Sequence, residues 1–383
     1  MPPAKREDEW AMKPPAEKRH GDNRVGSRLA AIRSAHPNNL MARFLDEDYF
    51  NALDTQERER LLQIVRSGLD NPDSQIGAYA QNGADYEDFG PLFEPLIRKY
   101  HNIPRQQDIG QDHDWSLMGS RCHLDDIDPG LKGLSARVRV GRNLATLPLP
   151  GGMTRAQRLE LEALMIEAFK MLRGNPQFDG RYLSLTPGSS LAIDEAEFQR
   201  RVRTHQMFED MRSDPYLTAA GIAADWPFGR GMYVSNSEDF LIWVGEEDHL
   251  RIISMGKGGD LAALFASLHD GLERLAGLIP AFAHSRRYGY ITSCPTNLGT
   301  AMRASLHLPL PRLTAGGADL EPAKKTASRL GLSVRGAGGE HSGAGQGGLV
   351  DISPRARLGV TETGIMKCLY DATAALWSLE NAG

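Results

Sequence analysis

The stretch FLIWVGEEDHLRIISM, from Phe240 to Met255, indicates how the larger part of the chain folds. Two runs rich in β-branched and aromatic residues flank a short acidic segment, which is the pattern of a β-hairpin, and hairpin strands are antiparallel. Other strand-like runs, LSARVRV from Leu134 and GLVDIS from Gly348, alternate with the helical run MTRAQRLELEALMIEAFKMLRG from Met153. The sequence therefore predicts an α+β domain after about residue 110.

The part of the chain before this domain shows a helical pattern. In DEDYFNALDTQERERLLQIVRSGLDNP, from Asp46 to Pro72, the apolar residues Leu61, Leu62 and Val65 recur at helical spacing. The polar segment HNIPRQQDIGQDHDW that follows is typical of a linker. We expect a variable or disordered tail over residues 1–37, a small all-helical domain over 38–112 and a larger catalytic domain over 113–383.

Composition excludes several classes of partner. The net charge is -5 and the pI is near 6.1, so nothing general favours binding to nucleic acid or an anionic membrane. The three cysteines, Cys122, Cys294 and Cys368, show no zinc-site spacing, and an odd number of them suits a reducing compartment. We expect a cytoplasmic protein without a resident metal. The sequence does not choose between a monomer and a homodimer.

Five arginines lie in short contexts that suit an anion site: Arg137 and Arg139 in SARVRVGR, Arg251 in EEDHLR, Arg303 in NLGTAMR, and Arg335 in VRGAGGEH. Alternate residues of a strand point to the same face, so Arg137 and Arg139 can face one ligand. Planar guanidinium groups bind phosphate oxygens, and phosphoryl transfer depends on positioning and charge stabilisation. Because the sequence contains no GxxxxGK[ST] loop, a nucleotide here needs another mode of binding.

Carboxylates and a thiol supply the complementary chemistry. Glu246, Glu247 and Asp248 occupy the hairpin turn, and their spacing alone favours an ordinary solvated turn. Glu340 lies in the glycine-rich RGAGGEHSGAGQGG, which suits a lid that closes over substrate. Cys294 precedes a proline and an expected helix start, where the helix dipole and nearby cations would stabilise a thiolate.

Three of these segments together resemble the phosphagen (guanidino) kinases: CPTNLGT at Cys294–Thr300, EEDHLRIISM at Glu246–Met255, and SARVRVGRN at Ser135–Asn143. The resemblance runs from about residue 40 to near the C-terminus. It implies a small α-helical N-terminal domain, followed by a large domain whose antiparallel sheet is flanked by helices, the glutamine synthetase-like guanidino kinase fold.

The resemblance also implies the site. Glu247 would pair with the substrate guanidinium as the main catalytic carboxylate, with Glu246 behind it, Cys294 as a thiolate against a guanidino nitrogen, and Glu340 reaching in from the lid. Mg²⁺ is expected on the nucleotide phosphates, without metal ligands from the protein. The implied contacts to ATP or ADP are Ser135, Arg137, Arg139, His205, Arg251, Arg303, Ala304, Ser305, Leu306, His307, Arg335, Gly336, Ala337, Gly338 and Gly339.

The acceptor implied by the resemblance is free L-arginine, phosphorylated reversibly by MgATP in cellular energy buffering. The stretch NPDSQIGAYA, Asn71 to Ala80, resembles the substrate-specificity loop of arginine kinases, and Tyr100 is also of their type. Backbone amides around Gly77 would receive the α-carboxylate, and Tyr79 would contact the amino group. The implied substrate contacts are Ser74, Gln75, Ile76, Gly77, Ala78, Tyr79, Glu247, Cys294 and Glu340.

The sequence also departs from the family pattern. Extra residues surround His205, and Asp73, which should bridge to an arginine of the large domain, has only Arg212 as a candidate partner. The lid lacks a second arginine. Two alternatives stay open: the same chemistry on a taurocyamine-type guanidine or on protein-bound arginine, and an inactive nucleotide- or arginine-binding sensor.

Overall fold

The computed structural model describes residues 25–116, 122–336 and 343–382. Its first part is helical, as the apolar spacing predicts. Asp54 caps the longest of these helices, where its side chain and that of Glu57 form a capping box. The helices are α1 (Val25–Ala35), α2 (Leu40–Phe44), α3 (Glu47–Ala52), α4 (Thr55–Asp70), α5 (Asp85–Asp88) and α6 (Gly90–His101).

The larger part is built on an antiparallel sheet, which confirms the predicted α+β class. Eight strands of the described residues form it in the order β2-β3-β4-β5-β1-β8-β10-β9. The hairpin is β4 and β5, and Val244 pairs with Leu250 at its end. The strands are β1 (Ser135–Arg142), β2 (Gly180–Ser184), β3 (Gly231–Ser235), β4 (Phe240–Val244), β5 (Leu250–Lys257), β6 (His284–Ser285), β7 (Gly289–Tyr290), β8 (Met302–Pro309), β9 (Leu332–Gly336) and β10 (Leu349–Pro354).

Helices cover one face of this sheet and bury its apolar side chains. The predicted N-cap at Thr154 is confirmed, because Thr154 and Gln157 form a capping box. Val138 of β1, Leu161 and Phe265 belong to the same buried core. The helices of this part are α7 (Arg155–Leu172), α8 (Glu195–Arg203), α9 (Pro215–Ala219), α10 (Leu261–Ala276), α11 (Glu321–Arg329) and α12 (Glu362–Asn381).

A second core joins the small helical part to the large one. Leu61 and Phe93 of the helices share it with Trp243 and Ile253 of the hairpin. The two parts therefore pack directly on each other, and the edge of their contact forms a cleft. The domain boundary at residue 112 stays a prediction. In the described residues, no helix is long and apolar enough to cross a membrane.

The predicted tail over residues 1–37 needs correction in its second half. Residues 25–35 form α1, and its residues Val25, Leu29 and Ile32 are buried against the helical core. The polar residues between these apolar positions obscured the pattern in the sequence. Residues 1–24 lie outside the described part of the chain.

Candidate active site

Four adjacent strands place their alternate residues around one cavity of about 190 Å³. Arg139 pairs with Arg303 across β1 and β8, and Arg137 pairs with Ser305. Asp351 of β10 stands opposite Arg335 of β9. Because side chains alternate between faces, these residues project on the side away from the helix-covered core. The predicted common face of Arg137 and Arg139 is therefore present, and it extends over two further strands.

Positive charges are concentrated here at a free energy cost. Burial and the neighbouring Arg251, Arg303 and Arg137 hold the pKa of Arg139 well below its usual range. The side chain of Arg139 has no hydrogen-bond or ion-pair partner within residues 25–116, 122–336 and 343–382. Arg303, in contrast, donates to Asp351 at 2.8 Å. Such a cluster is most stable when an anion supplies the missing negative charge.

The remaining predicted nucleotide contacts fall into two groups, according to whether the side chain lines the cavity or is buried in the core. Ser135, Ser305, His307 and Gly336 line the cavity together with His205. His205 has a φ of 55°, and its carbonyl accepts a hydrogen bond from Arg137, which fixes the loop against the cavity. Two predicted contacts, Ala304 and Leu306, are fully buried with their side chains in the core.

Ala304 and Leu306 can therefore meet a ligand only through their backbone, because every second residue of a strand faces the opposite side. Three other predicted nucleotide contacts, Ala337, Gly338 and Gly339, lie outside the described residues, and so does the predicted lid carboxylate Glu340.

The acidic turn is an organised part of the site, which corrects the preference for a solvated turn. Arg251 Nη2 lies 2.8 Å from Glu246 Oε2 and 3.3 Å from Glu247 Oε2. The side chains of Glu246 and Glu247 are only 15% and 16% exposed. Asn297, in the segment after Cys294, also donates to Glu247 at 3.3 Å. The turn therefore contacts both the arginine cluster and the cysteine-containing segment.

Buried polar contacts hold the turn in place. Asp248 accepts hydrogen bonds from Asn143 Nδ2 at 2.7 Å and from the amide of Ser293 at 2.8 Å. Asn143 Oδ1 in turn accepts from the amide of His249, and the Leu144 amide donates to His249 Nδ1. These bonds connect the end of β1, the turn and the cysteine-containing segment. Asp248 therefore positions its neighbours, while Glu246 and Glu247 pair with Arg251.

The environment of Glu247 favours its protonated form when no ligand is present. Burial, with the adjacent carboxylates Glu246 and Asp248, raises the pKa of Glu247 to about 8, although Arg251 and Arg357 act in the opposite direction. A guanidinium ion bound beside Glu247 would supply positive charge and lower this pKa. The carboxyl is therefore suited to receive a cationic substrate and to exchange a proton with it.

Cys294 lies in the predicted place beside these carboxylates, but its surroundings differ from the expectation. The segment Pro295–Asn297 is a single 3-10 turn, too short to act as the expected helix with a dipole. Burial, followed by the charge of Glu247, raises the pKa of the Cys294 thiol far above its usual range. The thiol contacts Thr296 Oγ1 at 3.1 Å. Without a bound cation these surroundings favour the neutral thiol, and a thiolate against a bound guanidinium stays a prediction.

The predicted specificity segment packs close to Cys294. The amide of Ala80 donates to the carbonyl of Ser293 at 2.9 Å. Burial and the nearby Cys294 and Glu247 hold the pKa of Tyr79 well above its usual range. In the free protein the Gly77 amide donates to Ser74 Oγ at 3.0 Å, and its contact with an α-carboxylate stays a prediction. A carboxylate at Gly77 would have to displace that hydroxyl.

The partner proposed for Asp73 is also corrected. Tyr216 of the large domain donates its hydroxyl hydrogen to Asp73 Oδ2 at 2.7 Å. The candidate Arg212 instead pairs with Asp210, two residues away, at 2.6 Å. The predicted bridge between domains therefore exists, but a tyrosine makes it.

The structure adds one arginine that the sequence analysis missed. Arg357 borders a small cavity together with Arg139, Asp248, Arg251 and Asn297. Its Nη1 donates to the carbonyl of Thr296, and its own carbonyl accepts from the amide of Thr300. The run SPRARLG begins at the end of β10, and no motif in it signals the position of Arg357, which lies in the loop that follows. In the described residues no group of three or more His, Cys, Asp or Glu side chains is arranged to hold a metal.

Family models and related sequences match most of the chain. Residues 35–98 match the family model of the ATP:guanido phosphotransferase N-terminal domain, and residues 160–383 match that of the C-terminal catalytic domain. Arginine kinase from Artemia franciscana is 40% identical over 90% of this chain and 93% of its own length. Arginine kinase from Penaeus japonicus is 38% identical over 89% and 92%, respectively.

Solved structures show the same fold. The duplicated taurocyamine kinase from Schistosoma mansoni, with bound transition-state analogue components, aligns with a TM-score of 0.79 and 31% identity over 93% of this chain. The chain spans about half of that duplicated protein, 48% of its length. A lombricine kinase aligns with a TM-score of 0.77 and 28% identity over 92% of this chain and 95% of its own.

Proposed function

The chain belongs to the ATP:guanido phosphotransferase family, and from this premise we propose that it transfers the γ-phosphoryl group of MgATP reversibly to free L-arginine, giving phosphoarginine and ADP. The observation that carries this proposal is the position of Arg251, which borders the arginine cluster around Arg139 and is paired with Glu246 and Glu247. A phosphoryl group and its acceptor would meet at this residue.

On the nucleotide side, the arginines would hold the phosphates of MgATP. Arg137, Arg139 and Arg303 line one cavity with Arg335, and a phosphoryl group in transfer carries negative charge on three oxygens. Guanidinium groups already in place stabilise that charge without reorganising during the reaction. Mg²⁺ enters as part of the substrate MgATP and is held by the phosphates.

On the acceptor side, Glu247 would orient the guanidinium and take up its proton. A guanidino nitrogen attacks the γ-phosphorus, the bond from that phosphorus to the β-phosphate oxygen breaks, and the electron pair of the broken bond leaves with ADP. The attacking nitrogen loses one proton, for which Glu247 is the acceptor that the geometry favours. Cys294 would lie against the guanidino group, where the bound cation lowers the pKa of the thiol.

The choice of L-arginine rests on the specificity segment and on the relatives. Tyr79 and Ser74 lie in a segment that contacts the carbonyl of Ser293 beside the site. The arginine kinases with 35–40% identity cover about nine-tenths of the chain. The similar structures include a taurocyamine kinase and a lombricine kinase, and these guanidines are the second candidates. A cytoplasmic role in energy buffering is part of the same proposal.

A protein-bound arginine and an inactive sensor are less favoured. The small helical part and the large one share a buried core that includes Cys294, and a site enclosed in this way suits a small acceptor. Arg139 and Arg303 line both cavities of the site, and Asn297 of the second cavity donates to Glu247, so the anion-binding and carboxylate groups lie close together, which suits catalysis more than binding alone.

A coupled assay of ADP release from MgATP tests the proposal. L-arginine, taurocyamine, lombricine, creatine, glycocyamine and an arginine-rich protein are offered separately to the same enzyme preparation. We expect the highest kcat/KM with L-arginine. A higher value with another guanidine would reassign the acceptor, and no ADP release with any of them would contradict the proposed function and favour the sensor.

A further inference from the structure

The cleft between the two parts of the chain is positively charged. It has a volume of about 570 Å³ and lies between the end of α6 and the strands β9 and β10. Five permanently cationic side chains line it: Arg43, Lys99, Arg335, Arg355 and Arg357. Among the described residues no aspartate or glutamate lines it, although the whole chain has a net charge of -5.

The histidine in the lining does not add to this charge near neutral pH. The one histidine in the lining, His101, is neutral there, because burial lowers its pKa to about 4. Arg43, Lys99 and Arg355 are exposed, and Arg355 donates to Ser328 Oγ, a neutral partner. A ligand in the cleft would therefore meet exposed cationic side chains.

The cleft shares lining residues with the proposed acceptor site. Gln75 of the specificity segment and Tyr100 both line it. Arg357 lines the cleft and also the small cavity beside Arg251 and Asp248. A guanidine that reaches Glu247 through this opening passes the five cations, and so does its phosphorylated form.

Phosphoryl transfer changes the charge of the acceptor by two units. The guanidino nitrogen loses one proton and gains a phosphoryl group that carries two negative charges in place of that hydrogen. L-arginine carries a net charge of about +1 near neutral pH, since its guanidinium and ammonium outnumber its carboxylate. Its phosphorylated form is therefore a net anion.

We propose that the cleft lined by Arg43, Lys99 and Arg355 is an anion-selective entrance that binds the phosphorylated guanidine more tightly than the guanidine itself. This inference rests on the proposed function. It concerns affinity and association, and the equilibrium constant of the reaction is unchanged. In ligand-free enzyme, added salt should weaken phosphoarginine binding and should not weaken L-arginine binding.

Titrations of the nucleotide-free enzyme test the inference without turnover. The dissociation constants of phosphoarginine and of L-arginine are measured by calorimetry at about 10 mM and about 300 mM NaCl, where the Debye length falls from about 30 Å to less than 10 Å. The variants are Arg43→Gln, Lys99→Gln, Arg355→Gln and the triple substitution. Arg181→Gln is the matched control, because Arg181 is exposed on β2, at the opposite edge of the sheet from β9.

At low salt, each removed charge should weaken phosphoarginine binding about two- to fourfold, as expected for unit and double charges separated by about 10 Å in water. The triple variant should lose most of the salt dependence, and Arg181→Gln should retain it. Equal salt dependence for both ligands, or no difference between the triple variant and the control, would overturn the inference.

Two further readouts separate this inference from the proposed function. MgADP is titrated into the same variants. A loss of affinity that is confined to MgADP would assign the cleft to the nucleotide and overturn the inference. The ADP-release assay identifies the acceptor independently. Turnover of L-arginine without the salt effect contradicts the inference alone, whereas no turnover with any guanidine contradicts the function as well. If another guanidine is the acceptor, it and its phosphorylated form replace the arginine pair in the titrations.

Discussion

The guanidinium of Arg251 lies 3.3 Å from the carboxylate of Glu247. Arg251 is suited to bind phosphate and Glu247 is suited to bind a substrate guanidinium, and in the free protein the two form an ion pair. Burial alone would lower the pKa of Arg251, but Glu246, Glu247 and Asp248 outweigh it and raise that pKa. In the free protein these carboxylates compensate Arg251. Once both substrates bind, each half of the pair gains a partner of its own.

Glu247→Gln should reduce turnover by at least about 100-fold, because the amide keeps the shape of the side chain but cannot accept the guanidinium proton. The dissociation constant of MgATP should change only a few-fold, since the phosphates contact the arginines. Initial rates and nucleotide titrations measure the two effects. Glu160→Gln, an exposed carboxylate on α7, is the control. Near-normal turnover would remove Glu247 from the mechanism.

Arg139→Met should abolish most activity without lowering the stability of the free protein. Removing this guanidinium relieves its repulsion with Arg137, Arg251 and Arg303, and in the described residues it leaves no partner unpaired. We expect an unchanged or higher melting temperature and a turnover lower by about 100-fold or more. Scanning fluorimetry and the ADP-release assay test this pair of effects. A clear loss of stability would show that Arg139 has a structural partner.

Local patterns predicted the parts of this site that lie on regular strands. The alternation in SARVRVGR was sufficient to place Arg137 and Arg139 on one face, and the two strand-like runs around GEEDH defined the hairpin. The turn itself was misjudged because its burial depends on Asn143, which is distant in sequence.

Arg357 was missed for a similar reason. Its position comes from a loop whose backbone bonds to Thr300, and no periodicity marks that contact. The state of Cys294 could not be read from the sequence either, because its pKa depends on burial and on Glu247 more than on the neighbouring residues Pro295 and Thr296. Long-range packing decided each of these features.

The free protein should lose stability as the pH rises from about 6.5 to 8. The folded pKa of Glu247, about 8, lies above the ordinary value of 4.5, so folding favours its protonated form, and that contribution is lost as pH rises through the folded pKa. The lowered pKa values of His101 and His249, about 4, act with the opposite sign but only below about 6.5.

Melting temperatures of the wild type and of Glu247→Gln over this pH range measure the effect. The wild type should show the steeper decline, and L-arginine should flatten its curve because a bound guanidinium lowers the pKa of Glu247. Parallel curves for the two proteins would mean that Glu247 is already ionised in the free protein.

Gly77→Ala should destabilise the protein by about 1 to 3 kcal/mol and impair the specificity segment. Gly77 has a φ of 70°, and an added Cβ would lie 2.8 Å from Met41 Cβ. Gly83→Ala is the matched control, since nothing lies within 4 Å of its added Cβ. Denaturant unfolding of both variants tests the expectation. Equal stabilities would show that the segment around Gly77 adjusts without strain.

Cys294→Ser should retain more activity than Glu247→Gln, because the neutral thiol of the free protein orients the substrate and contributes charge only after the cation binds. In the wild type, buried Cys294 should react slowly with iodoacetamide at neutral pH, since its pKa is raised far above the usual range. Peptide mass spectrometry of labelled protein follows this site separately from Cys122 and Cys368. Rapid labelling of Cys294 in ligand-free enzyme would show that the thiolate exists before substrate binds.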